Sequence, residues 1–234
     1  MTNTTLKMND QDRAGTVEKY SKGYAEHGYS PKTLGWDKGR QHIRFGALLS
    51  FFECRGKSIL DVGCGFGDLN RVLSRENGDS YQYLGVDLVG ELIDEGRHHY
   101  PQENIKFLNA DFLEYPFTET FDIVVASGIF NHKFDSGEND LFVERVLKKA
   151  WSLCTEGFAF DFLSDKVDYR HDHTYHNNPE RILGLAYGLS RNVSLRNDYM
   201  PFEFCLHVGK DDSFDRADAI FKAYKRRVSQ FCGP

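Results

Sequence analysis

An apolar strand pattern that runs directly into three closely spaced glycines constrains the fold of this chain more than any other feature. Residues 58–62 (SILDV) are followed by Gly63, Gly65 and Gly67, and a helix-like segment begins after them. Glycine lets the backbone turn sharply and lets a ligand approach the main chain, because no Cβ stands in the way. A helix that begins there presents unpaired N–H groups to a ligand. The pattern predicts a strand–turn–helix crevice for a nucleotide.

The spacing of the glycines indicates which kind of nucleotide is favoured. A dinucleotide site has the pattern G-x-G-x-x-G, whose glycines surround a pyrophosphate. Here Asp68 occupies the position of the third glycine, and its carboxylate would repel a phosphate. The carboxylate is tolerable beside S-adenosylmethionine (SAM), which has no phosphate and carries ammonium and sulfonium groups. The spacing therefore favours SAM, and the alternative is an ordinary glycine-rich turn without a ligand.

Composition is typical of a soluble globular protein. The chain has 234 residues, of which 40% are hydrophobic, and its formal net charge is −6 without a long basic block. No apolar run approaches the ~20 residues of a membrane span, and the first residues lack the apolar region of a signal peptide. We therefore expect one cytoplasmic domain over residues 1–234, as a monomer or homodimer, with neither nucleic acid nor membrane as a partner. The five cysteines are scattered, which is typical of reduced thiols: Cys54, Cys64, Cys154, Cys205 and Cys232.

Hydrophobic patterning alternates between strands and helices, which predicts a parallel sheet covered on both faces. Strands are predicted near 57–62, 82–87, 105–109, 121–126 and 156–162. Helices are predicted over 39–54, 68–77, 90–100, 138–154, 179–190 and, at the C-terminus, 214–230. Two β-rich runs, 191–200 and 202–209, are separated only by Pro201. We expect them to form a hairpin that adds an antiparallel strand at the edge of the sheet.

Four segments, in this order, resemble the motifs of the class I SAM-dependent methyltransferases, and the resemblance covers most of residues 40–210. They are ILDVGCGFG, YLGVD ending in Asp87, NADFLEY with Asp111 and Phe112, and FDIVVASGIFNH. The resemblance implies the fold class α/β, with a seven-stranded, mostly parallel, doubly wound sheet of Rossmann-like methyltransferase type and an antiparallel seventh strand. It also implies SAM as the cofactor and methyl transfer as the activity.

The resemblance further implies which residues contact the cofactor. Asp87 would accept hydrogen bonds from the ribose hydroxyls, Asp111 would bind the exocyclic amino group of adenine, and Phe112 would pack on the adenine ring. Taken singly, each aspartate is also compatible with a helix cap or a turn, and Phe112 with the core. The other candidates lie in the glycine loop and at the strand ends: Asp61, Gly63, Cys64, Gly65, Gly67, Leu88, Ala110, Ser127 and Gly128.

In similar enzymes a segment before the first helix folds over the cofactor, and we expect residues 1–40 to form such a lid. Its aromatic residues include Tyr20, Tyr29 and Trp36. Aromatic faces attract a sulfonium by cation–π interaction, and Arg44 on the following helix suits the methionine carboxylate as a bidentate donor. The alternative is that the aromatic side chains pack the helix on the sheet while the arginine is solvated.

Histidines supply the candidates for a general base, because their pKa lies near neutrality. His132 follows the fourth strand, beside the expected methyl-transfer site. Residues 164–190 are expected to form a substrate-binding insertion, within which His173 and His176 are further catalytic candidates. With His171 they have the spacing H-x-H-x-x-H, but a zinc or iron site needs better-defined ligand geometry. We therefore expect these histidines to contact substrate or solvent, and we expect no metal.

Departures from known motifs narrow the activity. The loop after the fourth strand has the sequence ASGIFNH and not the Asn/Asp-Pro-Pro-aromatic motif of methyltransferases that act on bases or glutamine. We expect transfer of a methyl group to a nitrogen or oxygen of a small molecule, in a natural-product, glycan or modified-metabolite pathway. Two alternatives remain open: a SAM-binding regulatory or scaffold protein without transfer activity, and a nicotinamide oxidoreductase on a related sheet.

Overall fold

The computed structural model describes residues 7–36 and 39–229 of the chain. The strands are β1 (Ser58–Val62), β2 (Gln82–Asp87), β3 (Ile105–Asn109), β4 (Phe121–Ala126), β5 (Cys154–Leu163), β6 (Val193–Arg196) and β7 (Glu203–Gly209). The helices are α1 (Asp10–His27), α2 (Gln41–Leu49), α3 (Asn70–Asn77), α4 (Gly90–His99), α5 (Asn139–Leu153), α6 (Pro179–Tyr187) and α7 (Lys222–Ser229). A short 3-10 helix, Pro31–Leu34, follows α1.

The strands within these residues form one sheet in the order β3-β2-β1-β4-β5-β7-β6. Strands β1 to β5 are mutually parallel, and β7 runs antiparallel to both β5 and β6. The predicted seven-stranded, mostly parallel sheet with an antiparallel seventh strand is confirmed. The predicted hairpin is formed by β6 and β7; within it β7 joins the sheet beside β5, and β6 forms the outer edge. Burial explains the order, because every residue of β7 is buried whereas those of β6 are half-buried.

Both faces of the sheet are covered, as the continuous apolar strands predict. Neighbouring residues of one strand belong to two separate hydrophobic clusters. Leu60 packs in a cluster with Phe158 and Phe160, whereas Ile59 packs in another with Val125 and Cys205. The doubly wound layering places the carboxyl ends of the parallel strands at one edge, where ligands of such sheets bind.

Several element boundaries differ from the sequence-based ones. The helix predicted over 39–54 covers only Gln41–Leu49. The C-terminal helix predicted over 214–230 begins at Lys222, because Phe214 and Phe221 pair through a β-bridge before it, and residue 230 lies outside the described residues. Helix α1 was not predicted at all, and its sequence is largely polar.

Two further expectations concern the described part of the chain. Its four cysteines, Cys54, Cys64, Cys154 and Cys205, are buried free thiols, and Cys232 lies outside the described residues. Among helices within residues 7–36 and 39–229, none is long and apolar enough to cross a membrane.

Candidate functional site

The glycine loop between β1 and α3 has a backbone that only glycine adopts without strain. Gly63, Gly65 and Gly67 have φ angles of +66°, +55° and +77°, which lie in the left-handed region. A Cβ at Gly63 would lie 2.2 Å from Cγ2 of Ile129, and a Cβ at Gly67 would lie 2.6 Å from the ring of Phe107. The loop is therefore held in place by its packing against Ile129 and Phe107.

A cavity of about 350 Å³ opens beside this loop, at the carboxyl ends of β1, β2 and β4. Its volume is in the range of small-molecule and cofactor sites. The structure thus brings most of the predicted residues together around one space. Those that line it are Tyr20, Trp36, Arg44, Asp61, Gly63, Cys64, Gly65, Asp87, Leu88, Ala110, Asp111, Phe112, Ser127, Gly128, His132 and His173.

Three predicted site residues are not among those lining the cavity. The Tyr29 hydroxyl donates to Oδ1 of Asp68 at 2.7 Å, and its ring packs edge-on against Phe66. His176 lies with Nδ1 2.7 Å from the Ser164 carbonyl oxygen and Nε2 3.0 Å from the Thr174 hydroxyl. Gly67 packs against Phe107, as described above. In the structure these three residues contact other residues of the protein, and the contacts predicted for them with cofactor or substrate stay predictions.

The position of Gly67, packed against Phe107 and outside the cavity wall, leads to a prediction. Gly67→Ala is expected to lower the free energy of unfolding by about 2 to 4 kcal/mol, from backbone strain and overpacking against Phe107. Because Gly67 does not line the cavity, the folded variant should bind S-adenosylhomocysteine (SAH) as the wild type does. Urea denaturation and calorimetry measure the two quantities. Gly65 is a glycine of the same loop that does line the cavity, so Gly65→Ala should lower the SAH affinity as well as the stability. If the two variants lost the same SAH affinity, the different positions of Gly65 and Gly67 relative to the cavity would not matter for binding.

Asp87 ends β2 and organises the glycine loop. Its Oδ2 accepts a hydrogen bond from the Gly65 N–H at 2.9 Å, and its Oδ1 accepts one from the Val89 N–H at 3.0 Å. Burial raises the pKa of Asp87, and the backbone hydrogen bonds act in the opposite direction. Each carboxylate oxygen retains lone pairs for a further donor. The side chain can therefore accept hydrogen bonds from a ligand while it holds the loop.

Asp111 follows β3 and has one carboxylate oxygen without a partner. Its Oδ1 accepts from the Leu113 N–H at 2.8 Å, whereas Oδ2 is buried and unpaired in the described structure. A buried acceptor without a donor is costly. The cavity lies next to it, and the buried ring of Phe112 lines the same wall. This end of the cavity suits a flat ring that carries an amino donor.

Two buried aspartates lie near the carboxyl ends of β1 and β5. Asp61 on β1 accepts from the Tyr83 hydroxyl at 2.8 Å, and burial raises its pKa to about 7. Asp161 on β5 accepts from the Ser127 hydroxyl at 2.5 Å and the Gly128 N–H at 2.7 Å. Burial, followed by the charge of Glu203, raises the pKa of Asp161 to about 6. The carboxyl group of Asp61, which lines the cavity, would be stabilised in the ionised form by a cationic ligand.

Arg44 lines the cavity but differs from its predicted role. Its Nε donates to Oε2 of Glu203 at 2.5 Å and its Nη2 donates to Oε1, so the guanidinium fork is already occupied. Both side chains are about nine-tenths buried. Trp36 lies over the guanidinium, with 4.0 Å from the Arg44 Cζ to the ring. The bidentate contact predicted between Arg44 and a ligand carboxylate would have to break this pair.

The described part of the N-terminal segment supplies residues to the wall of the cavity. Near the start of α1, Asp12 accepts hydrogen bonds from the backbone N–H and hydroxyl of Ser136. Near its end, the Tyr24 hydroxyl donates to Glu95 of α4 at 2.5 Å. Beyond α1, Leu34 packs on Gly65 and Trp36 packs on Gly128. The lid expected over residues 1–40 stays a prediction, and residues 1–6 and 37–38 of that segment lie outside the described residues.

A group of basic side chains surrounds the remaining part of the cavity. Nζ of Lys19, on α1, lies 3.4 Å from Nδ1 of His132, which follows β4. His132 and Thr174 form a β-bridge, and the Lys133 N–H donates to the His173 carbonyl oxygen at 3.1 Å. Burial lowers the pKa of His132 most, followed by the charge of Lys19, and the His173 side chain lowers it further. The hydrogen bond to the His173 backbone and the charge of Asp135 raise the pKa, but the net shift is downward.

Sequence reasoning missed Lys19, which lines the cavity, and Asp161, which accepts hydrogen bonds from the lining residues Ser127 and Gly128. Lys19 is one of many polar residues in α1, and only the three-dimensional structure brings it to His132. The sequence does offer a signal for Asp161, because it is a single acidic residue within the otherwise apolar strand sequence FAFDFL. Among the residues that the structure describes, no group of three or more His, Cys, Asp or Glu side chains is arranged to hold a metal ion.

Comparison with known proteins is consistent with this geometry. Residues 59–156 match the model of a family described as a methyltransferase domain. The 2-phytyl-1,4-naphtoquinone methyltransferase of Nostoc sp. (strain PCC 7120) is 33% identical over 98 residues, which are 40% of this chain and 43% of that protein. The mitochondrial ubiquinone biosynthesis O-methyltransferase of Bos taurus is 27% identical over 191 residues, 72% of this chain and 50% of that protein. The chain thus spans about half the length of these curated relatives, or less.

A solved structure shows the same fold. Magnesium protoporphyrin IX methyltransferase from Synechocystis PCC 6803 with bound SAM superimposes with a TM-score of 0.60 at 13% identity, over 87% of this chain and all of that one. At this identity the likeness concerns the fold alone. The family model, by contrast, matches the sequence from β1 to the start of β5 and so includes the glycine loop, Asp87 and Asp111. Residues 59–156 therefore match a methyltransferase domain, and the fold around them is that of a methyltransferase solved with bound SAM.

Proposed function

We propose that this protein transfers the methyl group of SAM to a nitrogen or oxygen of a small-molecule acceptor, in a natural-product, glycan or modified-metabolite pathway. The observation that carries the cofactor assignment is the buried, unpaired Oδ2 of Asp111 in the wall of the cavity. A small acceptor is supported by the lid over the cavity and by the relatives, which are named for a naphthoquinone and for ubiquinone biosynthesis.

The residues of the cavity fit SAM at three separate points. Asp111 Oδ2 needs a donor such as the adenine amino group, and Phe112 offers an apolar wall to the ring. Both oxygens of Asp87 keep lone pairs for the two ribose hydroxyls. Asp61, at the other end, suits the ammonium group of the methionine half. The bare backbone at Gly63 and Gly65 lets the ligand lie close to the main chain.

The same geometry supports a division of the chain into a lid, a cofactor-binding part and an acceptor wall. The whole of residues 1–234 would act as one domain, with residues 1–40 as the lid over the cofactor. Residues 164–190 would form the acceptor wall, because His173 and Thr174 line the cavity. His176 would support that wall through its contacts with Ser164 and Thr174.

Methyl transfer requires the protein to position the acceptor, to exclude water and to accept a proton from the acceptor. When bound, SAM supplies a methyl group made electrophilic by its sulfonium. The lid residues Leu34 and Trp36 would exclude water and hold the reacting groups in line. His132 would accept the proton that a hydroxyl or protonated nitrogen of the acceptor loses. Its lowered pKa keeps the imidazole neutral, and therefore able to accept a proton, at neutral pH.

A transfer assay with tritiated SAM over a panel of small metabolites tests the proposal. Label should pass to an acceptor, and His132→Gln should lower kcat by about 10² to 10⁴ while SAH affinity is unchanged. Because the base must be neutral and its pKa is below the usual 6.5, wild-type kcat should keep more than half of its plateau value at pH 6.5 and fall further in more acid solution. His132→Gln should lack that fall.

The control is His98→Gln, since His98 is an exposed histidine on α4 that does not line the cavity. This variant should keep both kcat and the pH profile. Tight SAH binding without transfer to any acceptor would instead favour a SAM-binding regulatory or scaffold protein. Absence of SAH binding would overturn the proposed function.

A further inference from the structure

We infer that the acceptor carries an oxyanion, such as a carboxylate or phosphate group, and that Lys19 binds this group beside the methyl-transfer site. The inference rests on the proposed function and names the chemical class of its acceptor. Three observations carry it: the separation of charge within the cavity, the lack of an acidic partner for Lys19, and the position of Lys19 against His132.

Charge is divided between two parts of the cavity. The acidic lining residues all belong to the glycine loop and to β1, β2 and the turn after β3: Asp61, Asp68, Asp87 and Asp111. This part faces the proposed cationic cofactor. The other part is formed by α1, the loop after β4 and the 164–190 segment, and its basic lining residues are Lys19, His132 and His173. An anionic group would be repelled by the first part and attracted by the second.

Lys19 is the cation in this cavity whose charge is not already paired. Arg44, the other lysine or arginine that lines the cavity, is neutralised by Glu203. Lys19 makes no ion pair with any residue in the described ranges, and its Nζ contacts the His132 ring nitrogen and lies 5.2 Å from the Tyr20 ring centroid. Burial lowers the pKa of Lys19, and no carboxylate counteracts this effect. An oxyanion would supply the missing counter-charge.

The backbone fixes the two histidines beside this lysine. The His132–Thr174 bridge and the Lys133–His173 hydrogen bond join the loop after β4 to the 164–190 segment. Asn131 strengthens the junction, because its Oδ1 accepts from the Leu163 N–H at 3.1 Å and its carbonyl accepts from the Tyr175 N–H at 3.0 Å. The basic group is therefore built on paired backbone, and only the lysine comes from the lid.

The Lys19–His132 contact links acceptor binding to the proposed proton transfer. An ammonium only donates hydrogen bonds, so Nδ1 of His132 is the acceptor in this 3.4 Å contact and the ring proton resides on Nε2. An oxyanion that takes the Lys19 ammonium as its partner would free Nδ1. The nitrogen would then accept the proton of the acceptor hydroxyl, whose oxygen forms the bond to the methyl carbon as the carbon–sulfur electron pair passes to sulfur. A neutral acceptor would leave Nδ1 engaged by Lys19.

A matched pair of probes tests the inference without knowledge of the natural acceptor. Benzoate and benzamide have the same shape and differ in charge. Calorimetry on the SAH complex of the full chain should show benzoate binding roughly tenfold more tightly than benzamide, the size expected for a charge-assisted hydrogen bond. Lys19→Gln should remove this preference and Lys19→Arg should retain it. In the wild type, benzoate should also shift the imidazole NMR signals of His132.

Several results would overturn the inference. These are equal affinities for the two probes, no measurable benzoate binding, or a preference for benzoate that persists in Lys19→Gln. In each case SAH binding by the same protein would leave the proposed function standing. Failure to bind SAH at all would overturn the proposed function and this inference together.

Discussion

Asp87→Ala is expected to lower the affinity for SAH by at least about 100-fold. Two hydrogen bonds to a carboxylate contribute about 1.5 to 3 kcal/mol each, and the variant loses the proposed pair to the ribose. It also leaves the N–H groups of Gly65 and Val89 without their acceptor, so the glycine loop loses its support. Calorimetric titration with SAH measures the change.

The control for Asp87 is an aspartate that plays the same backbone role at the opposite end of the sheet. Asp122, in β4, accepts from the Ser58 N–H at 2.8 Å and from the Ser58 hydroxyl at 3.0 Å, and it does not line the cavity. Asp122→Ala should lose stability in urea but keep its SAH affinity. If both variants bound SAH equally well, the role proposed for Asp87 would be wrong.

Local patterns in the sequence predicted the elements that position the site. The strands at 82–87, 105–109 and 121–126 have the predicted bounds, because each is a short run of apolar, β-favouring residues between polar turns. The glycine loop was equally visible, since positive φ angles at alternate positions leave glycine as the residue without strain. These local rules placed Asp87 and Asp111 at strand ends, and parallel strands then bring them to one edge.

Long-range partners were not predictable in the same way. Arg44 and Glu203 are separated by 159 positions, and no local pattern pairs them. The edge position of β6 depends on how completely β7 is buried, which a hairpin signal does not specify. The H-x-H-x-x-H spacing likewise did not distinguish His173, which lines the cavity, from His176, which supports the backbone. In each case the contact is decided by tertiary packing.

Glu203→Ala is expected to lower the free energy of unfolding by about 3 to 5 kcal/mol. The substitution leaves the guanidinium of Arg44 buried, beneath Trp36, without its carboxylate. A buried unpaired charge is costly because water no longer solvates it. Urea denaturation of the purified protein measures the loss, and the same variant should loosen the contact between the lid and the cavity, since Trp36 packs on both Arg44 and Gly128.

Two further variants separate the cost of a buried charge from the loss of an ion pair. Glu156→Ala breaks the pair with Lys57, whose side chains are 31% and 39% exposed, and should cost about 1 kcal/mol or less because water screens the charges. Arg44→Met combined with Glu203→Met removes both charges and should recover most of the stability lost in Glu203→Ala. If Glu203→Ala and Glu156→Ala lost the same stability, or if the double substitution recovered nothing, the penalty would not come from the stranded guanidinium. If the double variant recovered stability but lost SAH affinity, the Arg44–Glu203 pair would be needed for the cavity and not for folding, because methionines at both positions would then be sufficient for a stable fold.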